Sequence, residues 1–334
     1  MRRLPLLLSV LGVTLLIAAG ALFVLRSSDF LITPDKAKPL AGRVTVQGEK
    51  PSGPGGIYYV DVLVRRASLL ERLLAPLRPE GAELLPERAL VAPGQSDADR
   101  RRQSLRQMDR SEEIAAAVAL KQLGYDVRAS ADGVIVDAVR SDVPANGLLQ
   151  PSDVIVSAQG KRVRTPSDLR RLVGPLKPGT VVTIGVRDGA AAKTLRIKTV
   201  ADPAGSKRAL LGVAVSQSAR ITLPVKVNID LGDVGGPSAG LAFALEVMEE
   251  LGRDVDRGYK VAATGELELD GSVAPIGGAE QKAIGARRAG VDVLLVPAGD
   301  NARDARRGAD GLRIIPVDSF QQALRALATL PRKT

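Results

Sequence analysis

Ser238 lies in a glycine-rich stretch, residues 232–240, between a predicted strand and a predicted helix. Residues 223–230 alternate as in a half-buried strand, and apolar residues recur at helical spacing over residues 241–251. A serine at a helix start sits among unpaired backbone N–H groups at the positive end of the helix dipole, which stabilise negative charge. The pattern therefore predicts either a nucleophile or a serine that caps the helix.

The composition limits the base that could activate this serine. The chain has 334 residues and contains neither histidine nor cysteine. This excludes a Ser-His-Asp triad, a Cys-His pair, a HExxH metalloprotease site and a Cys/His zinc site. A nucleophilic Ser238 would need a lysine or a carboxylate as its base, and a Ser-Lys pair is a known variant of the triad.

Lys282 is the candidate base. It lies in a predicted helix over residues 279–289, and it is the only charge on a stripe of small residues at helical spacing (Ala279, Ala283, Ala286 and Ala289). Burial there would lower the lysine pKa, and neutrality at pH 7 needs a drop of roughly 3 units, or about 4–5 kcal/mol. The alternative is a lysine that extends over the alanines into solvent.

Three sequence blocks, at residues 236–240, 264–266 and 275–278, precede Lys282 in a fixed order, and the lysine follows the last block by four positions. This pattern resembles the proteolytic domain of the Lon protease family, over residues 209–331. The resemblance implies that Ser238 is the nucleophile and Lys282 the general base of a serine endopeptidase. Gly235 departs from the pattern, because many Lon proteases carry aspartate there.

The resemblance also implies supporting residues and a fold. Backbone N–H groups around Gly236 and Ala239 would stabilise the oxyanion, and Thr264 would orient the lysine. Two buried strands, residues 291–297 and 312–317, are each followed by a helical segment, which indicates parallel pairing within a mixed sheet. We therefore expect an α+β proteolytic domain with flanking helices and with neither cofactor nor metal.

Residues 111–200 resemble a bacterial PDZ domain, a β-rich fold that binds extended peptides at a sheet edge. The resemblance lies in the order of predicted strands, turns and one helix at residues 167–173. Ser152 stands where a glycine is usual, and the glycine-containing carboxylate-binding loop is not evident. We expect a domain that captures substrates or, as the alternative, a spacer that positions the protease.

Residues 4–25 form an uncharged apolar run, which at about 1.5 Å per residue is long enough for a bilayer core of about 30 Å. Arg2 and Arg3 before it favour a cytoplasmic amino terminus. The run predicts a transmembrane anchor over residues 1–26, with lipid contact and an extracytoplasmic catalytic part at the cell membrane. A linker and strand/helix region would fill residues 27–110, with a strand at residues 57–64, an amphipathic helix at residues 67–77 and an irregular stretch at residues 81–103.

The net charge of +10 does not indicate nucleic acid binding. Basic residues are scattered, and with four Phe, four Tyr and no Trp the chain has few aromatic side chains for base stacking.

The chain has no GxxxxGK[ST] phosphate loop, so we expect ATP-independent cleavage of unfolded or membrane-associated proteins. The resemblance to the Lon protease family implies a homo-oligomer, which in that family is a hexamer. The alternative is a catalytically inactive, membrane-tethered module that binds peptides for quality control.

Overall fold

The computed structural model describes residues 3–47, 56–91, 97–188, 191–203 and 205–333. Its helices are α1 Arg3–Val24, α2 Leu69–Leu73, α3 Glu87–Leu90, α4 Asp97–Gln122, α5 Pro166–Val173, α6 Gly240–Glu250, α7 Ala279–Arg288, α8 Asp300–Ala309 and α9 Phe320–Ala328. The strands as far as residue 162 are β1 Arg26–Pro34, β2 Lys38–Pro39, β3 Val44–Val46, β4 Ile57–Tyr59, β5 Val62–Ser68, β6 Glu83–Leu85, β7 Arg128–Val139, β8 Val154–Ala158 and β9 Lys161–Arg162. The later strands are β10 Val181–Asp188, β11 Ala191–Lys198, β12 Val200–Ala201, β13 Ala209–Leu210, β14 Val213–Thr222, β15 Val227–Ile229, β16 Val261–Ala263, β17 Glu266–Leu267, β18 Val273–Ala274, β19 Val293–Pro297 and β20 Arg313–Val317.

A mixed sheet forms the centre of the C-terminal part. Its strand order is β2-β4-β16-β19-β20, in which β4, β16, β19 and β20 are parallel and β2 is antiparallel to β4. The predicted parallel pairing of the two C-terminal strands is confirmed. Both of these strands are rich in branched apolar residues, as expected for strands covered on both faces.

Helices cover both faces of this sheet. Because successive strand residues point to opposite faces, Ala263 and Leu295 join one core with α4, α6 and α9, whereas Ala262 and Leu294 join another with α7 and α8. The second core consists largely of alanines, which lets α7 pack closely on the sheet. The α6 and α7 helices therefore lie on opposite faces and can meet only at an end of the sheet.

Much of the predicted linker region, residues 27–110, belongs to this same core. The β4 strand pairs in parallel with β16, β3 pairs with β15, and α4 packs against α6. The α4 helix starts inside a stretch predicted to be irregular and continues across the predicted domain boundary at residue 110. Sequence periodicity does not report such long-range pairing, which explains the difference.

Two predicted elements of this region are divided in the structure. The predicted strand at residues 57–64 is broken between β4 and β5, which lie in different sheets. The predicted helix at residues 67–77 is α2 followed by a short 3-10 turn, Ala75–Leu77. Pro76 explains this break, because proline has no N–H to donate to the Arg72 carbonyl and its ring would clash with that carbonyl in a continuous α-helix.

The PDZ-like region is built on an antiparallel sheet with the order β11-β10-β8-β7-β14, flanked by α5. The β14 strand lies within the predicted proteolytic domain, yet it pairs along the whole length of β7. Ser152, which stands in place of the usual glycine, has φ 79°, in the left-handed region that glycine enters most easily. The chain thus keeps the backbone turn of the pattern without the glycine.

The apolar run predicted as an anchor is largely helical, in α1. Among the residues that the structure describes, no helix is both long enough and apolar enough to cross a membrane. The predicted transmembrane helix is therefore not supported there. Met1 and Arg2, which carried part of the orientation argument, lie outside the described residues.

Candidate active site

Ser238 lies in a 3-10 turn, Pro237–Ala239, that leads directly into α6. Gly236 before it has φ 98°, a backbone conformation that favours glycine. Ala239, and not Ser238, is the N-cap residue of α6, so the serine does not cap this helix. The Ser238 side chain is half-buried and available for other contacts.

Lys282 projects from α7 toward this serine. Its Nζ is 2.8 Å from Ser238 Oγ, which is hydrogen-bond distance. The residue is 2% exposed, so its side chain does not extend into solvent over the alanines. Burial lowers the pKa of Lys282 to about 7, partly offset by the negative charge of Asp61. A lysine in this state is part neutral at physiological pH and can accept a proton.

Thr264 links the serine and the lysine. It follows β16 at the carboxyl end of the sheet, where Lys282 Nζ donates a hydrogen bond to Thr264 Oγ1 at 3.1 Å. The Thr264 hydroxyl in turn donates to the Ser238 carbonyl at 3.1 Å, and this carbonyl also accepts the Gly265 N–H at 2.8 Å. The three side chains predicted from sequence, those of Ser238, Lys282 and Thr264, are therefore in direct contact.

The Gly236 N–H group does not face this cluster. It donates to the backbone carbonyl of Ser104 in α4 at 2.9 Å, so it is not free to bind an oxyanion in this structure. The α4 helix also contacts the loop through Ser111, whose hydroxyl donates to the Pro237 carbonyl at 3.1 Å. The sequence predicted an oxyanion role for the Gly236 N–H group. It contained no local pattern indicating that a helix more than a hundred residues earlier would accept a hydrogen bond from this group.

Close packing by α4 also explains the glycine at position 235. A Cβ on Gly235 would lie 2.7 Å from Ser104 Oγ and 3.2 Å from the Ser104 carbonyl carbon. An aspartate, the residue typical of many Lon proteases, would displace the loop or the helix. The departure from the family pattern therefore matches the helix that this chain places beside the loop.

Gly235→Ala should shift the loop that carries Ser238 and lower any activity that depends on it, with a loss of about 1–3 kcal/mol in the free energy of unfolding. Calorimetry and a cleavage assay measure both effects. Gly277→Ala is the matched control, because a Cβ at that exposed position meets nothing within 4 Å. Ser104→Gly combined with Gly235→Ala should restore the loop, and equal behaviour of all variants would contradict this explanation.

A PDZ-like helix contacts the hairpin that follows Thr264. The backbone N–H of Ser167 in α5 donates to Glu268 Oε1 at 3.0 Å, and Arg170 lies 3.6 Å from Glu266 and 3.8 Å from Glu268. Burial raises the pKa of both carboxyls, to about 7 for Glu266. The helix of the PDZ-like region thus contacts the hairpin that begins two residues after Thr264.

Among the described residues, one group of carboxylates, Glu249, Asp254 and Asp256, has oxygens close enough together to hold a metal ion. Glu249 Oε1, however, accepts the backbone N–H groups of Val255 and Asp256 at 2.7 and 2.8 Å. Asp254 pairs with Arg332 at 2.8 Å. These contacts give the acids a role in holding the turn after α6.

Sequence reasoning did not single out Asp61, Ser104 or Ser111. Asp61 lies inside the predicted strand at residues 57–64, two residues after the end of β4, and its negative charge favours the ammonium form of Lys282. An acid inside an otherwise apolar stretch was the one available signal for it. The two serines lie in α4 and had no such signal, because their contacts with the loop depend on the tertiary packing.

Comparison with known proteins assigns two domains in this chain. The Lon protease (S16) C-terminal proteolytic domain matches residues 186–329, and a PDZ domain matches residues 121–199. A solved PDZ domain of an SdrC-like protein from Listeria monocytogenes is 27% identical, covering 25% of this chain and 87% of that one, with a TM-score of 0.24.

Lon proteases are among the curated relatives of this chain. Lon protease 1 of Sorangium cellulosum is 39% identical over 110 residues, covering 30% of this chain and 13% of the relative. Lon protease 2 of Bacillus subtilis is 30% identical over 145 residues, covering 43% of this chain and 26% of the relative. The chain thus spans at most about a quarter of these two relatives' lengths. It contains a Lon-type proteolytic domain together with a PDZ domain.

Proposed function

We propose that this chain is an ATP-independent serine endopeptidase with Ser238 as nucleophile and Lys282 as general base. The observation that carries the proposal is the 2.8 Å distance between Lys282 Nζ and Ser238 Oγ, with the lysine fully buried. The Lon-type domain match supports the same reaction class.

In the first half of the reaction, neutral Lys282 takes the proton of Ser238 while Oγ attacks the carbonyl carbon of a peptide bond. The resulting oxyanion is stabilised by backbone N–H groups at the helix start, at Ser238 and Ala239, which lie at the positive end of α6. The lysine then gives its proton to the leaving amine, and an acyl group remains on Ser238.

In the second half, Lys282 activates water for attack on the acyl-enzyme and returns the proton to Ser238. The hydrogen bond from Lys282 Nζ to Thr264 Oγ1 holds the lysine amine between the Thr264 hydroxyl and Ser238. Since part of the lysine is protonated at pH 7, cleavage should rise with pH through about 7. Neither a metal nor an organic group takes part in this proposal.

The proposal also includes protein substrates, self-assembly and membrane attachment, each with its own support. Similarity to Lon proteases supports protein substrates and an oligomer. Native mass spectrometry of the purified chain measures the number of subunits in that oligomer. Composition alone supports an anchor in the run at residues 4–25. Membrane fractionation with and without residues 1–26 tests it, and an unchanged distribution would refute it.

The function is tested by incubating the full chain with an unfolded protein such as casein, without nucleotide, and following new amino termini by mass spectrometry. We expect cleavage that neither ATP nor EDTA changes. A requirement for ATP would refute the nucleotide-independent part of the proposal. Binding of the unfolded protein without any cleavage would instead favour an inactive peptide-binding module.

A further inference from the structure

Asp61 lies near the N-terminal end of α7, the helix that carries Lys282. It lies two residues after β4, which is parallel to β16 and pairs Tyr59 with Ala263. Because the two strands are parallel, Asp61 and Thr264 both follow their strands at the same end of the sheet, where Thr264 contacts Lys282. The acid therefore reaches the carboxyl end of the sheet, where the candidate active site lies.

Contacts on either side of Asp61 fix this segment against α7. Val62 lies close enough to Gly278, the N-cap of α7, that a Cβ there would be 3.1 Å from its Cγ1. One turn beyond Lys282, Gly285 packs so tightly on the Asp35 carbonyl that a Cβ would lie 1.9 Å from that oxygen. Lys282 is thus between two points where the segments bearing Asp35 and Asp61 contact its helix.

The charges around Asp61 leave part of its carboxylate without a partner. Lys38 Nζ bonds Asp35 at 2.7 Å but is 3.7 Å from Asp61 Oδ2. Asp61 Oδ1 is buried and has no hydrogen-bond partner. Asp35, Lys282 and the buried phenol of Tyr59 are the other titratable groups close to Asp61, and burial, together with the neighbouring Asp35 carboxyl, raises the pKa of Asp61 above its ordinary value.

We propose that Asp61 is a positioning residue that acts through Lys282, its carboxylate stabilising the ammonium form that Lys282 takes when it receives the Ser238 proton. This proposal rests on the proposed peptidase function. The proton moves from Ser238 Oγ to Lys282 Nζ and from there to the leaving amine, so Asp61 supplies charge and exchanges no proton.

The purpose of such a charge follows from the burial of Lys282. Burial alone penalises the ammonium form, and Asp61 opposes this effect, so the pKa of Lys282 rests at about 7. A general base works best when its pKa lies near the operating pH. A lysine with a much lower pKa would be neutral but too weak a base for the serine hydroxyl.

The test compares the pH dependence of kcat/KM for casein peptides in Asp61→Asn and in the unaltered chain. Loss of the negative charge should move the acid-limb midpoint about one pH unit lower and reduce the high-pH plateau several-fold. Asp153→Asn is the matched control, because Asp153 is also a buried aspartate that pairs with a lysine, Lys193 at 3.2 Å, but lies in the PDZ-like region, and its midpoint should stay in place. An unmoved midpoint in Asp61→Asn, or an equal shift in both variants, would overturn the proposal.

Two further variants guard against misfolding. Asp61→Glu retains the charge and should keep most of the original midpoint, whereas Asp61→Ala removes the charge and should lower the midpoint as Asp61→Asn does. A midpoint in Asp61→Glu as low as that in Asp61→Asn would count against the proposal. Retention of the midpoint by the charged variant alone separates an electrostatic role from a loss of structure.

A readout independent of cleavage separates failure of this proposal from failure of the proposed function. The ¹³Cε resonance of Lys282, assigned by its absence in Lys282→Arg, should titrate at lower pH in Asp61→Asn than in the unaltered chain. This result would support the role of Asp61 even if no peptide were cleaved. Identical titration of the two chains would refute it even if the peptidase were active.

Discussion

Ser238→Ala and Lys282→Ala should each reduce cleavage of unfolded protein by about 10³-fold or more. The serine supplies the attacking oxygen, and the lysine removes its proton within a buried contact of 2.8 Å. Because the two residues act as one unit, the double variant should be no worse than either single variant. Initial rates of peptide release, with each variant at the same concentration, measure the effect.

The matched control for the serine is Ser111→Ala, which removes another hydroxyl that contacts the same loop but lies on α4. This variant should retain far more activity than Ser238→Ala. Undiminished cleavage by Ser238→Ala would contradict the nucleophile assignment. Full activity in Lys282→Ala together with loss in Ser238→Ala would show that a different base serves the serine.

Lys282→Met should make the protein more stable at neutral pH while it abolishes cleavage. An unfolded lysine has a pKa of about 10.4, whereas burial lowers the pKa of Lys282 to about 7. Between these pH values the unfolded chain binds more protons at this residue than the folded chain, so the contribution of Lys282 to the free energy of unfolding falls as pH decreases from 10 to 7. At pH 7 the buried lysine costs about 4 kcal/mol. The variant removes this cost but also loses the lysine hydrogen bonds, so we expect a net gain of about 2–3 kcal/mol in its free energy of unfolding.

Calorimetry at pH 7 and pH 10 measures this stability difference. The melting temperature of Lys282→Met should exceed that of the unaltered chain at pH 7, and the difference should nearly disappear at pH 10. Lys161→Met, at an exposed site in β9, is the control and should show little difference at either pH. A difference of the same size at both values would mean that the buried lysine does not carry the predicted penalty.

The residues at the centre of the candidate site could be predicted because their signals are local. The helical stripe that placed Lys282 among alanines spans eleven residues, 279–289, and the glycine-rich turn before Ser238 marks the strand-to-helix connection. The hairpin after Thr264 also has a local signal, the Asp-Gly turn at residues 270–271. Short-range periodicity and turn chemistry determine such features.

The surroundings of the site could not be predicted in the same way. The β4 strand reaches β16 across about 200 residues, and nothing in its short apolar sequence specifies this partner. The contacts of α4 with Gly235 and Gly236 depend on how that helix packs. Asp61 and Ser104 therefore became visible only in the folded chain.

The central claim is tested most directly by looking for an acyl group on Ser238. The chain is mixed with an activated peptidyl ester, quenched by acid so that Lys282 becomes protonated and deacylation stops, and analysed by intact and peptide mass spectrometry. We expect one acyl group, on the peptide that contains Ser238, and none in Ser238→Ala. An acyl group on another residue, or turnover of the ester with no acyl group on the chain, would contradict the proposed Ser-Lys mechanism.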